Sequence, residues 1–252
     1  MPLSSRVNIL GVGISPTTMS QAVDTIFDWL DKCEKHYVCV TGVHGVMESQ
    51  KDGKLLFIHN ASGLTVPDGV PIVWGGRMLG YRGIGRVYGP DLMLRVCKLS
   101  VRKGYRHFLY GGNTGVSAEL KRTLEDRFPG IQIAGIYTPP FRPLTEAEEK
   151  QLTHMVARAS PDLFWVGLST PKQEHFMAEH IHKLDTKIML GVGAAFDIHT
   201  GHAKDAPLWI KTIGMQWFHR LCQNPRRLWR RYLINNPLFI YKFSRQLLTN
   251  KR

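Results

Sequence analysis

Acidic residues are absent from residue 206 to the end of the chain, although ten lysines and arginines lie in that segment. The chain of 252 residues has a formal net charge of +13, so this final segment carries most of the positive excess. A basic segment without balancing carboxylates indicates an anionic partner, which is a membrane surface, a phosphorylated ligand or nucleic acid.

Cysteine is also scarce. The four cysteines are widely separated and form no Cys-x-x-Cys pair, which argues against a zinc site and against a disulfide framework. Reduced thiols are typical of a cytoplasmic protein. The amino terminus lacks the basic and apolar segments of a signal peptide, and no apolar run approaches the ~20 residues that span a bilayer. We therefore expect a cytoplasmic protein whose contact with a membrane is peripheral.

Several common catalytic motifs are missing. The chain has no Gly-x-Ser-x-Gly elbow, no P-loop and no Asp-x-Asp pair. Gly11-Val12-Gly13 begins a dinucleotide fingerprint, but the third glycine is missing, which weakens the case for a nicotinamide-dependent oxidoreductase. The eleven histidines have no familiar ligand spacing. We therefore predict no metal and no cofactor.

Apolar runs alternate with helical patterns through most of the chain. In the clearest unit, apolar runs at Leu163–Val166 and Lys187–Leu190 flank a helical segment, Pro171–His182. Two such strands pair in parallel through a right-handed crossover. The pattern as a whole predicts an α/β fold with a largely parallel sheet and helices on both faces. The further predicted strands are Arg6–Val12, Tyr37–Thr41, Leu64–Val66, Arg106–Tyr110 and Ile131–Tyr137.

Beyond residue 205 the pattern is purely helical, and aromatic side chains alternate with arginines. This composition suits a membrane interface, where rings lie at the headgroups and arginines meet anionic lipid. The alternative is that the aromatic side chains form a core and the arginines a solvated face. We predict a core at residues 1–205 and a membrane-association appendage at 206–252, whose apolar face could instead pack against a second copy in a homo-oligomer. The residues predicted to contact the membrane are Arg226, Trp229, Arg230 and Arg231.

Polar residues that follow the predicted strands are candidate functional residues, because ligands of parallel sheets bind beyond the carboxyl ends of the strands. Asp68 lies between Pro67 and Gly69, directly after a buried strand. A carboxylate in that place can act as a general base toward a hydroxyl, a role worth about 10²–10⁴ in rate. It can equally be the N-cap of the helix that begins near Val70.

The two strands of the clearest unit are also followed by polar and small residues. Gln173 offers a donor and an acceptor and suits sugar hydroxyls, whereas Glu174 is explained by the dipole at the start of its helix. Small residues such as Gly193 let a backbone approach a ligand closely. Phe196 can stack on a base or pack in the core, and Asp197 can accept a hydrogen bond from a uracil or ribose group.

A glycine turn follows the strand at Arg106–Tyr110. Gly111 and Gly112 lie between this strand and a helical segment, Val116–Arg127, and backbone N–H groups at such a helix start can hold a phosphate or a nucleotide edge. Turns of this kind are often only tight connections, so both interpretations stay open. Tyr137, at the end of the next strand, is also counted among the candidate binding residues.

Several short motifs occur together in an order that resembles one family. Each is weak alone, but their order and spacing resemble the WecG/TagA/CpsF family of bacterial glycosyltransferases over nearly the whole chain. Members of that family build teichoic acids, enterobacterial common antigen and exopolysaccharides. The motifs are Pro67–Trp74, Arg86–Leu92, Phe108–Gly112, Pro171–Glu174, Gly191–Asp197 and Gly214–Tyr232.

The resemblance implies a Rossmann-like catalytic core and a peripheral position on the inner face of the cell membrane. It implies inverting, metal-independent transfer of a sugar from a UDP-sugar donor to a saccharide acceptor on polyprenyl diphosphate. It also implies that Asp68 is the catalytic base, with Thr41, Arg86 and Gln173 around donor and acceptor.

Without a metal, cations of the protein must stabilise the departing diphosphate. Among the arginines of the tail, Arg220 and Arg227 are favoured for that role. One departure from the family concerns the strand-end Thr41, which many members follow shortly with an asparagine; here Gly42, Val43 and His44 follow it. Either His44 takes over the hydrogen bonding of that asparagine or the acceptor differs. The donor sugar therefore stays open among N-acetylmannosamine, its uronic acid, glucose and other hexoses.

A different interpretation is a nucleic-acid-binding protein, in which the aromatic side chains of the tail stack on bases and its arginines bind phosphates. This interpretation leaves Asp68, Gln173 and Asp197 without a role. We therefore expect no nucleic-acid partner.

Overall fold

The computed structural model describes residues 6–249, which contain a two-stranded and a six-stranded sheet. The small sheet is an antiparallel hairpin of β1 (Val7–Ile9) and β2 (Val12–Ile14). Leu10 and Gly11 at its turn have φ angles of 51° and 84°, and positive φ at both positions is what a two-residue type I′ turn requires. The predicted single strand at Arg6–Val12 is therefore wrong, because the chain reverses direction at Leu10.

The six-stranded sheet is entirely parallel and is flanked by helices, which confirms the predicted α/β fold. Its inner strands are buried along almost their whole length, as expected when helices cover both faces. The predicted strand–helix–strand unit is confirmed, since Leu163 pairs with Ile188 and Val166 with Gly191 in parallel register. Across the sheet the strands are β4 (Leu64–Pro67), β3 (His36–Thr41), β8 (Ile188–Gly191), β7 (Leu163–Gly167), β5 (Arg106–Gly111) and β6 (Gln132–Tyr137).

Nine helices precede residue 200 in the described chain. A capping box begins α7, because Thr145 Oγ1 accepts from the Glu148 N–H while the Glu148 carboxylate accepts from the Thr145 N–H. The short helices α3 and α9 were not predicted from the sequence. These helices are α1 (Met19–Asp31), α2 (Val43–Ser49), α3 (Gly53–Ala61), α4 (Val70–Met78), α5 (Gly89–Lys103), α6 (Val116–Arg127), α7 (Glu146–Ala159), α8 (Lys172–His180) and α9 (Ala195–His199).

The final segment is helical, as predicted. A π-helical turn, Arg230–Ile234, leads directly into the last helix, so Pro237 lies within a continuous helical segment, shortly after the turn where the hydrogen-bond pattern changes. None of the helices within residues 6–249 is both long and apolar enough to cross a bilayer. The α-helices of the segment are α10 (Leu208–Thr212), α11 (Gln216–Gln223), α12 (Pro225–Trp229) and α13 (Asn235–Thr249).

The chain divides into two compact units, and the first takes residues 6–19, 40–88 and 204–249 of the described chain. Its core joins the β1–β2 hairpin, α2, α4 and α13, with Phe239 and Phe243 of α13 buried among residues such as Ile9. Gly75 lets α13 approach α4, because a Cβ at this position would lie 3.1 Å from Phe243 Cζ. The last helix is therefore part of this core. The predicted boundary between residues 205 and 206 stays a prediction.

The second unit takes residues 20–39 and 89–203. Aromatic side chains fill its core, and the rings of Phe108 and Phe164 stack with centres 5.0 Å apart. A polar chain crosses this core, since Trp165 Nε1 donates to His107 Nδ1 at 2.9 Å and His107 Nε2 lies 2.7 Å from Ser100 Oγ. Burial of these polar side chains is tolerated because each of them has a hydrogen-bond partner.

Candidate active site

Asp68 is held at the end of β4 by its backbone. Its N–H donates to the Thr41 carbonyl oxygen at 3.0 Å, and its own carbonyl oxygen accepts from Arg86 Nε at 2.6 Å. The N-cap position of α4 is taken by Gly69, and no side-chain cap is made there by the described residues. The alternative role of Asp68 as an N-cap is thus not observed. Its carboxylate lies over Gly42 instead, where an added Cβ would be 3.9 Å from Oδ2.

Thr41 ends the neighbouring strand β3 and is 1% exposed. Its Oγ1 is enclosed and has no hydrogen-bond partner within residues 6–249. Gly45 permits this close packing, because a Cβ there would lie 2.8 Å from Thr41 Cγ2. A buried hydroxyl without a partner is a candidate ligand contact. The nearby His44 is partly buried, with Nδ1 3.9 Å from Glu48 Oε1.

Arg86 is fixed by three contacts within the first unit. Besides its bond to the Asp68 carbonyl, Nη2 donates to Gln216 Oε1, and the guanidinium carbon lies 4.6 Å from the centre of the Tyr88 ring. The structure therefore holds a permanent cation against the turn that carries Asp68.

Arg231, in the C-terminal helices, interacts with the negative charge of Asp68 and with the positive charges of Arg220 and Arg227. Arg231 is partly buried, and its Nε is enclosed without a partner in the described part of the chain. Burial is the main reason why the pKa of the Arg231 guanidinium is lowered; the charges of Arg220 and Arg227 lower it further, and Asp68 opposes them. Cations that repel one another in a partly desolvated place form a site that an anion would stabilise.

The other three residues predicted to contact the membrane are exposed. Arg226 and Arg230 face solvent, and Trp229 is 43% exposed with the Arg230 guanidinium carbon 5.2 Å from its ring centre. Arg231 differs from these three because its Nε is enclosed. The sequence grouped the four residues together, and the structure separates one of them.

Gln173, in the second unit, has an amide whose orientation is set by two acceptors. Its Nε2 donates to Glu174 Oε1 at 3.0 Å and to the Gly191 carbonyl oxygen at 3.3 Å. Both amide hydrogens are thereby used, so only Oε1 is left for a ligand. That oxygen is enclosed, has no partner within residues 6–249, and lies beside Gly193, where an added Cβ would be 3.5 Å away. Gln173 therefore presents an acceptor alone.

Glu174 is fully buried, and its contacts could not be predicted from the local sequence. Its Oε1 accepts from Thr170 Oγ1 at 2.9 Å as well as from Gln173, while Oε2 has no partner in the described chain. Burial raises the pKa of the Glu174 carboxyl, more than these hydrogen bonds lower it. The helix dipole alone explains an acidic residue at this position, so the role of Glu174 in orienting Gln173 cannot be predicted from the sequence.

The glycine turn after β5 is required by close packing of the backbone. Gly111 has a φ of 124°, and a Cβ there would lie 2.7 Å from the Gly167 carbonyl carbon. The Gly112 N–H donates to the Gly167 carbonyl oxygen at 3.1 Å. Phe196 is 1% exposed, with its ring 2.9 Å from the position of a Cβ on Gly167. This geometry favours the core-packing interpretation of Phe196, and its part in binding stays a prediction.

Tyr137 and Asp197, also in the second unit, are partly exposed. The Tyr137 ring stacks on Tyr110 with centres 5.8 Å apart, and burial is the main reason why the pKa of Tyr137 is raised. Asp197 lies in the first turn of α9, and its carbonyl oxygen accepts from the Ala203 N–H at 2.9 Å. Both side chains remain accessible to a ligand.

The sequence also gave no sign of a polar group formed by Tyr88, Asp205 and Gln216. Gln216 Nε2 donates to Tyr88 Oη at 2.7 Å although the two residues are 128 positions apart. Local patterns carry no information on such a contact. Within residues 6–249, no three or more His, Cys, Asp or Glu side chains are grouped as metal ligands would be.

Comparison with known proteins gives a consistent set of relatives. The model of the glycosyl transferase WecG/TagA/CpsF family matches residues 7–252. The chain is 30% identical over 213 residues to the N-acetylglucosaminyldiphosphoundecaprenol N-acetyl-beta-D-mannosaminyltransferase of Bacillus subtilis, with 81% of each chain covered. Proteins of the same name from Bacillus spizizenii and Staphylococcus aureus (strain MRSA252) are 27% identical over 205 residues and 25% identical over 244 residues. The first match covers 81% of this chain and 77% of the relative, and the second covers 96% and 93%.

Proposed function

Because the chain belongs to the WecG/TagA/CpsF family of glycosyltransferases, we propose that it transfers a sugar from a UDP-sugar to a saccharide on polyprenyl diphosphate. The names of its relatives support an acceptor that ends in N-acetylglucosamine and a donor sugar of the N-acetylmannosamine type. The observation that carries the proposal is the Asp68 turn, in which a backbone-fixed carboxylate at a strand end lies next to a fixed arginine.

In this reaction Asp68 is the general base. Its carboxylate takes the proton of the acceptor hydroxyl while the hydroxyl oxygen bonds to the anomeric carbon of the donor. The bond between that carbon and the diphosphate oxygen breaks in the same displacement, and UDP leaves. One displacement inverts the anomeric configuration, so an α-linked UDP-sugar would give the β-linked product in the relatives' names.

The departing diphosphate needs positive charge, and the first unit supplies it without requiring a metal. Arg86 is held against the Asp68 turn, and the charges of Arg220 and Arg227 repel that of Arg231. A diphosphate oxygen that accepts from the enclosed Arg231 Nε removes that repulsion and satisfies the nitrogen. We assign Arg231 to this group of cations rather than to lipid contact.

Within the second unit, the predicted strand-end residues offer contacts suited to a nucleotide or a sugar. The Gly111–Gly112 turn leads to the start of α6, where backbone N–H groups can hold a phosphate. Gln173 Oε1 accepts from a hydroxyl or an N–H of the ligand. Tyr137 and Asp197 complete the donor contacts that we propose.

The surface formed by Arg226, Trp229 and Arg230 contacts the anionic membrane on which the acceptor resides. An exposed indole beside two exposed guanidinium groups suits the headgroup region. Each cation near such a surface contributes about 1 kcal/mol.

The test of the base is Asp68→Asn, assayed with UDP-N-acetylmannosamine and a lipid-linked N-acetylglucosamine acceptor in EDTA. Turnover should fall about 10²–10⁴-fold, because the amide cannot take the proton. UDP affinity, measured by calorimetry, should stay unchanged, and the exposed Asp126→Asn serves as the matched control. Transfer by Asp68→Asn at the wild-type rate would refute the assignment, and loss of wild-type turnover in EDTA would refute metal independence.

The test of the membrane surface replaces Arg226 and Arg230 with Gln and Trp229 with Ser. Co-sedimentation with anionic vesicles should fall. The matched control is a second exposed cation–aromatic pair, Arg245 over Tyr241 at 5.9 Å, whose replacement should leave vesicle binding unchanged. Equal loss in both variants would indicate that charge alone, and not this surface, drives binding. A deletion from Pro207 onward is unsuitable, because it removes two phenylalanines from the core of the first unit.

A further inference from the structure

A hydrogen-bonded chain joins the C-terminal helices to the loop that carries Arg86. Gln216, in α11, accepts from Arg86 Nη2 and donates to Tyr88 Oη at 2.7 Å. Asp205 Oδ1 accepts from Tyr88 Oη at 2.8 Å and from Gln216 Nε2 at 3.3 Å. Lys211, in α10, donates to the other oxygen of Asp205. All five residues belong to the first unit.

The direction of every bond in this chain is determined. A guanidinium only donates, so Gln216 must present Oε1 to Arg86 and its amide hydrogens to Tyr88 and Asp205. An ionised carboxylate only accepts hydrogen bonds, so the Tyr88 hydroxyl must donate to Asp205. Burial and then the charge of Asp205 raise the pKa of Tyr88, which keeps that proton in place. Gln216 is the member that links the cation Arg86 to the rest.

The helices that supply Gln216 and Lys211 bury few side chains of their own, and the ring contact of α11 is that of Trp217 with Tyr232, whose centres are 6.0 Å apart. Neither α10 nor α11 contains a fully buried residue in the described structure, and Leu208 and Trp209 are 79% and 66% exposed. Close backbone packing occurs where Gly214 meets α4, since a Cβ there would lie 3.2 Å from Val70 Cβ. Segments without buried apolar contacts open with a low free-energy cost. The polar chain is therefore a main determinant of where α10 and α11 sit.

We propose that Gln216 is a positioning residue, which couples the packing of α10 and α11 within the first unit to the alignment of Arg86 beside Asp68. When the helices are seated, Arg86 Nη2 has its acceptor and Nε stays on the Asp68 carbonyl. When they open, Arg86 loses that acceptor together with its connection to Tyr88 and Asp205. The catalytic consequence rests on the function proposed above, whereas the coupling itself does not.

The test is Gln216→Met, which keeps the length of the side chain and removes its hydrogen bonds. The matched control is Gln223→Met, also in α11, whose amide donates to the Lys204 carbonyl oxygen at 2.9 Å and does not contact Arg86. Amide hydrogen exchange over residues 208–223 and steady-state transfer are measured for both variants. Gln216→Met should speed exchange about tenfold or more and lower kcat by about tenfold to 10²-fold, with donor KM within about twofold. Gln223→Met should leave kcat within about twofold.

A second variant separates this coupling from a general loss of packing. Tyr88→Phe keeps the ring beneath the Arg86 guanidinium and removes the hydroxyl that joins Gln216 to Asp205, so that only their direct contact at 3.3 Å is left. If the residues act as one chain, combining Tyr88→Phe with Gln216→Met lowers kcat no further than Gln216→Met alone. Independent effects that multiply would overturn the proposal.

Two further outcomes would also overturn it: equal losses of kcat in the Gln216 and Gln223 variants, or a wild-type kcat in Gln216→Met. If the wild-type chain transfers no sugar, the proposed function fails, and hydrogen exchange still decides the coupling. Unchanged exchange over residues 208–223 in Gln216→Met would then refute it, and faster exchange confined to that variant would support it.

Discussion

Lowering the pH from neutrality should destabilise the second unit through His107. This histidine lies in β5 and is fully buried. Trp165 Nε1 donates to Nδ1, so Nδ1 must be unprotonated, and the ring proton on Nε2 is given to Ser100 Oγ. Ser100 Oγ in turn donates a hydrogen bond to the Cys97 carbonyl oxygen at 2.8 Å. The site thus accepts one neutral tautomer and leaves no place for a second ring proton.

The size of the effect follows from the pKa. Burial lowers the pKa of His107 from 6.5 to about 4, against a small opposing effect of Asp162. Between these values the unfolded chain binds a proton and the folded chain does not, so the free energy of unfolding falls as the pH falls. The stability is fully present above pH 6.5 and is lost progressively toward pH 4. The total loss is roughly 3 kcal/mol.

Urea denaturation at a series of pH values between about 7 and about 4.5 measures this loss. Because carboxylates also titrate at the acid end, the comparison is with His107→Gln, whose amide does not titrate. The variant should be less stable than wild type at neutral pH but should lose less stability on acidification. His154→Gln, on the exposed face of α7, is the control and should follow the wild-type curve. Parallel curves for wild type and His107→Gln would refute the reasoning.

Three further variants test the contacts around the proposed ligands. Glu174→Gln keeps the acceptor for Gln173 and resembles the protonated acid, so its UDP affinity should stay within about twofold of wild type. Glu174→Leu removes that acceptor and should weaken UDP affinity about tenfold. Equal affinities of the two variants in calorimetry would contradict this. Arg231→Met should leave the thermal midpoint unchanged or higher while UDP affinity falls about tenfold or more, because the cation is desolvated and repelled until an anion binds. A lower midpoint with unchanged affinity would count against that account. Gly167→Ala should cost ~1–3 kcal/mol in urea denaturation, because the new methyl group meets the Phe196 ring; wild-type stability would mean that the ring has room to move.

Local patterns in the sequence were sufficient to predict the main sheet. The runs at Leu163–Val166 and Lys187–Leu190 lack the alternation of apolar and polar residues, as expected of strands that are covered on both faces of a sheet. Their parallel pairing followed from the helix between them. The location of Asp68 followed from the same logic, because the polar residue after a buried strand must lie at the ligand edge. These features depend on periodicity and on chain direction, and both are visible along the sequence.

Features that depend on distant pairs were not predictable. The hairpin turn was missed because Leu10 is an unusual residue for positive φ, and its neighbour Gly11 alone did not signal a reversal. The hydrogen bond between Gln216 and Tyr88 joins residues that are 128 positions apart. Nothing in the local sequence of either residue predicts that the other is its partner. The orientation of the Gln173 amide depends on the Gly191 carbonyl, which no side-chain pattern reports.

Buried polar atoms without partners are informative only together with their place in the fold. Thr186 Oγ1 and Gln173 Oε1 are both enclosed and unpartnered within residues 6–249. Thr186, however, precedes β8 and lies at the amino end of that strand, where parallel sheets do not bind ligands. Gln173 follows β7, at the carboxyl end, and its amide is held by two separate acceptors so that the oxygen alone remains. An enclosed oxygen without a partner therefore costs roughly 1–3 kcal/mol of stability at Thr186. At Gln173 the oxygen is a preformed ligand contact, because there a bound molecule can donate the missing hydrogen bond.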